Sequence, residues 1–121
     1  YFNLKIETLN AVAEILGNGY KCYVNAVTEE VFSAENIDVE TRKNNDYQEF
    51  VPLEGSVTFG IMKDYVSSVE NFEHQSELME ALSYEQPFLT FKRKVYALHI
   101  ADSWIAYRNQ QIVHMLENKT S

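Results

Sequence analysis

Tyr20-Lys21-Cys22-Tyr23-Val24-Asn25-Ala26-Val27, followed by Thr28-Glu29-Glu30 and then Val31-Phe32, is the stretch whose reading decides the fold class. Tyr20, Cys22, Val24 and Ala26 alternate with Lys21, Tyr23, Asn25 and Val27, and apolar character resumes at Val31-Phe32. Successive side chains of a strand point to opposite faces, and β-branched and aromatic residues suit that pleated surface, so residues 20–34 predict a β-hairpin. Its turn chemistry is poor, because no glycine separates the two runs.

Upstream, Ile6, Leu9, Ala13 and Leu16 recur at helical spacing with Val12 beside them, which predicts a helix over 5–16. Gly17-Asn18-Gly19 supplies residues tolerant of positive φ that end this helix and reverse the chain. Downstream, residues 35–46 are polar and nearly without apolar periodicity, as in a solvated, mobile hairpin loop. Tyr47, Phe50, Val51 and Leu53 give a third strand over 47–53, with Pro52 marking an edge strand or a strand exit.

At Ser56, a plausible N-cap, the apolar period changes from two to 3.6. Phe59, Met62, Tyr65, Val66 and Val69 form one stripe, and Gly60 within it predicts close packing against a neighbour. A further helix is expected over 72–83 with Leu78, Met79 and Leu82 inward. Pro87 fits the first position of another, carrying Phe88, Phe91, Val95 and Leu98. A short joint at 98–101 precedes a last helix with Ile105, Ile112, Met115 and Leu116 on one side, and Trp104, Arg108 and Gln111 on an adjoining side. Strands segregated from helices mean an α+β fold: an N-terminal helix, a small antiparallel sheet of about three strands, then a four-helix C-terminal part. The length of 121 residues fits a single domain over 1–121.

The composition is that of a globular domain, with 45% hydrophobic and 23% charged residues, which argues against intrinsic disorder. The net charge of −8 disfavours a nucleic-acid partner and anionic lipid. That charge is unevenly placed. Residues 1–86 hold sixteen acids against five bases, a net of −11. Residues 87–121 hold Lys92, Arg93, Lys94, Arg108 and Lys119 against Asp102 and Glu117, a net of +3. No apolar run approaches the roughly 18 residues that span a bilayer, so no membrane role is expected. The chain opens at Tyr1, and no basic region followed by a long apolar one marks a leader there. A lone cysteine, Cys22, forms no internal disulfide, which fits a reducing compartment. Asn118-Lys119-Thr120 matches a glycosylation acceptor triplet at the chain end.

Catalytic and cofactor patterns are largely missing. Gly17-Asn18-Gly19 follows a helix and precedes a strand, the reverse of a phosphate-binding loop. His74, His99 and His114 fall on different elements and no cysteine pair exists, so no zinc site is expected; Glu73, His74 and Glu77 read as solvated helix. Cys22 in an alternating strand reads as inert packing unless folding brings His99 or His114 to it. His99 and Asp102 read as a joint filler and a cap. Acidic residues are numerous, but no spacing singles out a carboxylate pair for glycosidase-type chemistry. The expectation is a non-enzyme without cofactor or metal.

One constellation combines rings and cations: Trp104, Tyr107, Arg108 and Gln111 at helical spacing, with Lys92, Arg93 and Tyr96 on the preceding helix. Such groups suit stacking and anion contact. The plain alternative is that Trp104 anchors its helix in the core while the cationic stems cover the rim. Lys92, Arg93 and Lys94 are consecutive and spread over about 200° of a helix, so they do not make one patch. The candidate binding residues are therefore Lys92, Arg93, Tyr96, Trp104, Tyr107 and Arg108. They support a protein- or peptide-interaction module using the helical tail. The alternative, a nucleic-acid-associated protein, requires Lys92, Arg93, Arg108 and at least one of Trp104, Tyr96 or Tyr107 exposed on one face. A small enzyme would need Cys22, His99 or His114 converging in a pocket. Homodimerisation is compatible with each reading, and the edge strand near Pro52 offers one route.

The run Tyr23 to Val31, the stretch Pro52 to Ser56 with Ile61-Met62-Lys63-Asp64-Tyr65-Val66, and the order Leu78, Ala81-Leu82, Pro87-Phe88, Phe91-Lys92, Trp104 and Leu116 together resemble Uncharacterised Protein Family 0158 of bacteria. The resemblance extends over most of residues 20–117. It implies a small cytoplasmic bacterial protein and no activity, since the family's own function is unassigned. Two places depart from the family pattern: Glu29 stands in a turn where glycine is expected, and the polar loop around 35–46 is long.

Overall fold

A computed structural model describes residues 4–120, with side chains through Asn118. Tyr1 and the Lys119 and Thr120 side chains of the acceptor triplet lie outside the described residues. The element order is α1 (Ile6–Gly17), β1 (Cys22–Asn25), β2 (Val31–Ser33), a 3₁₀ turn (Ala34–Asn36), α2 (Val39–Arg42), β3 (Tyr47–Phe50), α3 (Gly55–Ser68), α4 (Phe72–Ala81), α5 (Pro87–Ala97) and α6 (Ala101–Thr120). The fold is mixed α+β, with one antiparallel sheet in the order β2-β1-β3. Among the described residues no helix is long and apolar enough to cross a membrane. The chain divides into two compact units, one comprising residues up to Leu53 and those from Asn109 onward, the other Glu54–Arg108.

In the first unit the apolar stripe of α1 (Leu9, Val12, Ala13 and Leu16) packs with Cys22, Val24, Phe50 and the Ile112, Val113 and Leu116 side chains of α6. α1 ends in a Schellman motif, in which Gly19 N–H donates to Leu16 O and Tyr20 N–H to Ile15 O. Only Gly19 takes positive φ there, at 91°; Gly17 is still helical. β1 is central, pairing Tyr23 with Phe32 on one side and with Glu49 on the other. Cys22 and Val24 face the core. On the opposite face the Tyr23 hydroxyl donates to Glu49 at 2.6 Å, which raises the phenol pKa.

The expected mobile loop contains a 3₁₀ turn and the helical turn α2. Their signals are polar caps, not apolar periodicity: the Ser33 hydroxyl accepts from Glu35 N–H, and the Asp38 carboxylate from Thr41 N–H at 2.6 Å. These bonds hold the Asp38 carboxyl below its ordinary range, the Thr41 contacts foremost. α2 sets the Arg42 guanidinium 5.3 Å from the centre of the Tyr23 ring, so the segment covers the outer sheet face. Pro52 lies beyond edge strand β3, where it removes no ladder hydrogen bond.

The hairpin turn forms without glycine because side chains stand in for it. Asn25 Oδ1 accepts from Val27 N–H at 2.8 Å and Thr28 N–H at 3.1 Å. Glu29 adopts φ of 61°, and its carboxylate accepts from Lys5 N–H at 3.0 Å and from the Thr8 hydroxyl at 2.7 Å. Those two bonds, the Lys5 amide first, hold the Glu29 carboxyl below the usual carboxylate range.

In the second unit α3 buries Ile61, Met62, Tyr65 and Val66, α4 buries Leu78 and Ala81, and α5 buries Phe91 and Val95. Pro87 does occupy the start of α5. At its centre Phe91 and Trp104 meet edge to face at 4.9 Å, and Tyr65 also meets Trp104 edge to face at 5.4 Å. The Tyr65 hydroxyl bonds Ser103 at 3.0 Å, so the phenol is satisfied within the core.

Three expectations are corrected here. Glu54, not Ser56, is the N-cap of α3, without a side-chain cap bond, and Ser56 lies within the first turn. A Cβ added at Gly60 would meet nothing within 4 Å, so this glycine is not demanded by close packing. α4 ends at Ala81, and Met79 points outward.

Candidate functional site

The candidate site is an open groove between α3 and α4, about 600 Å³ in volume. Phe59 and Val66 of α3 and Met79 and Leu82 of the α4 side form its apolar walls. Residues three and four apart share a helix face, so Phe59, Lys63 and Val66 align on one helix, and Gln75, Met79 and Leu82 on the other. The buried Ile61 and Tyr65 lie on the far side of α3, whereas the buried Leu78 and Ala81 flank the groove face of α4, Leu78 standing four residues before Leu82. α4 therefore carries two apolar stripes, Leu78 and Ala81 inward and Phe72 and Met79 outward, while the groove face of α3 adds half-buried Phe59 to the buried Val66. Phe72 precedes Gln75 by three residues and extends the same outward stripe; it is 79% exposed, and Met79 is 61% exposed.

The polar groups along the groove are mostly engaged. Gln75 Nε2 donates to Val66 O at 2.9 Å, tying α4 to the end of α3. The Ser67 and Ser83 hydroxyls donate to Lys63 O and Glu80 O. The Lys63 ammonium sits 5.8 Å from the centre of the Phe59 ring, a cation–π geometry. No group in the groove is set up as a nucleophile beside a base. Its surface can take up apolar side chains and select them by shape.

The sequence-selected residues divide. Lys92, Arg93 and Tyr96 are exposed on α5. Trp104 and Arg108 are 5% and 8% exposed, and Tyr107 is half-buried. Trp104 belongs to the aromatic core, where it meets Tyr65 and Phe91, and Tyr107 stacks on Tyr65 at 5.4 Å. The six residues therefore form no single exposed surface, and the condition stated for a nucleic-acid face is not met, because Arg108 is buried.

Cys22 is fully buried in the first unit, and burial pushes its thiol up to about 12, far from a reactive thiolate. His99 and His114 are exposed. His99 takes φ of 59° at the end of α5, where His99 N–H donates to Tyr96 O and Ile100 N–H to Val95 O, a Schellman motif without glycine. Among the described residues no group of three or more His, Cys, Asp or Glu side chains could hold a metal ion.

Lys63, Phe72 and the outward role of Met79 were missed by sequence reasoning. The available signal was the second stripe on α4, Phe72-Gln75-Met79, offset from Leu78 and Ala81. No family model matches the chain, and no match was found among curated proteins or solved structures.

Proposed function

We propose that this chain is a non-enzymatic interaction module that receives an apolar segment of a protein partner in the α3–α4 groove. The observation that carries the reading is the groove itself, walled by Phe59, Val66, Met79 and Leu82, with its serines and Gln75 already bonded to backbone carbonyls. The outward stripe of α4 beside Phe59 of α3 leaves a channel into which a third helix packs, ridge into groove. Exposed Met79 on that channel, with exposed Phe72 further along the same stripe, suits an adaptable protein contact. A cytoplasmic location and membership of the bacterial Uncharacterised Protein Family 0158 complete the reading. The family landmarks Ala81, Phe91, Trp104 and Leu116 fall on buried positions, which supports a shared scaffold.

The test is calorimetric titration with a synthetic amphipathic helix carrying leucines at i, i+3, i+4 and i+7. Binding to the wild-type chain, weakened at least about tenfold by Met79→Glu, is the expected result. Absence of binding, or equal binding by the variant, contradicts the reading.

A further inference from the structure

We infer that Met79 is an oxidative modification site: a peroxide converts its thioether to the sulfoxide, and the change closes the groove to an apolar occupant while the fold stays intact. The inference rests on the reading of the groove as a docking surface and adds the regulation of that surface.

The chain holds three methionines, and they differ in access. Met62 is 5% exposed in the core of its unit, Met115 is half-buried in the other unit, and Met79 stands in solvent on the groove wall. Susceptibility of a thioether follows its exposure, so the order of attack is Met79, then Met115, then Met62. Cys22, the remaining sulfur, is fully buried and does not compete for the oxidant.

The step is self-contained once the peroxide is supplied. A lone pair on the Met79 sulfur forms the S–O bond to one peroxide oxygen as the O–O bond breaks. Sulfur is oxidised by two electrons, the peroxide is reduced by two, and the second oxygen leaves as water with both protons.

The position of Met79 separates docking from folding. Leu78 and Ala81 hold α4 in its own unit, whereas Met79 belongs to the outward stripe. Oxidation turns a flexible apolar side chain into a polar one with a new acceptor oxygen. The Ser67 and Ser83 hydroxyls along the groove already spend their protons on the Lys63 and Glu80 carbonyls, so neither has a donor left for that oxygen. An apolar occupant would bury the oxygen without a partner, and such burial opposes docking. Methionine sulfoxide is reducible by enzymes, one for each epimer, so the change is reversible.

The full chain is treated with dilute hydrogen peroxide over a time course, and peptide mass spectrometry reads the three methionines separately. Calorimetric titration with the synthetic amphipathic helix then compares untreated, oxidised and enzymatically re-reduced chain, and a circular-dichroism melt follows the fold. Met79 is expected to oxidise ahead of Met115 and at least about tenfold faster than Met62. Oxidised chain should bind the helix at least about tenfold more weakly, with an unmoved melt, and re-reduction should restore binding. In Met115→Leu the loss on oxidation should be the same, because Met115 lies in the other unit. Equal oxidation of the three methionines, or oxidised Met79 with unchanged helix affinity, overturns the inference and leaves the groove reading standing. A melt lowered in step with Met79 oxidation also overturns it, because the side chain would then serve the fold. If untreated chain binds no helix, the groove reading falls and the switch falls with it.

Discussion

Helices α1 and α4 are close in length, twelve and ten residues, yet they place their apolar side chains in different ways. α1 lays Leu9, Val12, Ala13 and Leu16 along one stripe and buries all four. α4 buries only Leu78 and Ala81 and leaves Phe72 and Met79 in solvent on a second stripe. Packing within its own unit accounts for most of the apolar content of α1, where Ile6 at the first position is the exposed exception, and for about half of that of α4. Met79 of the unused half lines the groove and Phe72 continues its stripe, which is why function is proposed there and not at the better buried aromatic cluster around Trp104.

The largest effects should come from the side chains both helices bury. Leu16→Ala and Leu78→Ala each remove a core side chain and should cost about 2–5 kcal/mol in urea unfolding, whereas Met79→Ala should stay within about 0.5 kcal/mol of wild type. A cost for Met79→Ala equal to that for Leu78→Ala would break the contrast between the stripes.

Two glycines sharpen it with effects of opposite sign. Gly19 ends α1 at φ of 91°, so Gly19→Ala should destabilise by about 1 kcal/mol. Gly60 lies inside α3 with open space where a Cβ would stand, so Gly60→Ala should stabilise by up to about 1 kcal/mol. Loss of stability on Gly60→Ala, read from a thermal melt, would show that α3 is packed more closely at that point.

The smallest effect concerns the tether between α1 and the hairpin turn. The Glu29 carboxyl is held below its ordinary range, so its bonds to Lys5 and Thr8 add stability above the unfolded carboxylate pKa of about 4.3 and lose it as pH falls through the depressed folded value. The Lys5 amide resonance should titrate with a midpoint below that ordinary value and become flat in Glu29→Gln. A midpoint at or above it would remove the tether.

Much of the scaffold was readable in the chain. The alternation around Cys22 and Val24, the stripe of α1 and Pro87 at the head of α5 fixed element types because period and capping are local properties. The segment 35–46 was misread because its order comes from Ser33 and Asp38 bonding backbone amides and from Arg42 reaching the Tyr23 ring, none of which leaves an apolar period. Glu29 in place of glycine was visible as an oddity, but the partners that hold it, Lys5 and Thr8, are more than twenty residues away. The candidate site was legible only at its edge. Lys92, Arg93 and Tyr96 were singled out for their chemistry and are exposed, whereas Trp104 and Arg108 were grouped with them and are buried. Spacing says which residues share a helix face. It does not say which of two apolar faces on α4 the rest of the unit will cover.

The most direct test of the groove as a docking surface is a methyl carbon–proton spectrum of the three methionines during titration with the synthetic amphipathic helix. Met79 lines the groove, Met62 is buried behind it, and Met115 belongs to the other unit. The account predicts a saturable shift at Met79 with Met62 and Met115 nearly unmoved. A titration that leaves Met79 in place, or that moves all three methyls alike, would contradict it.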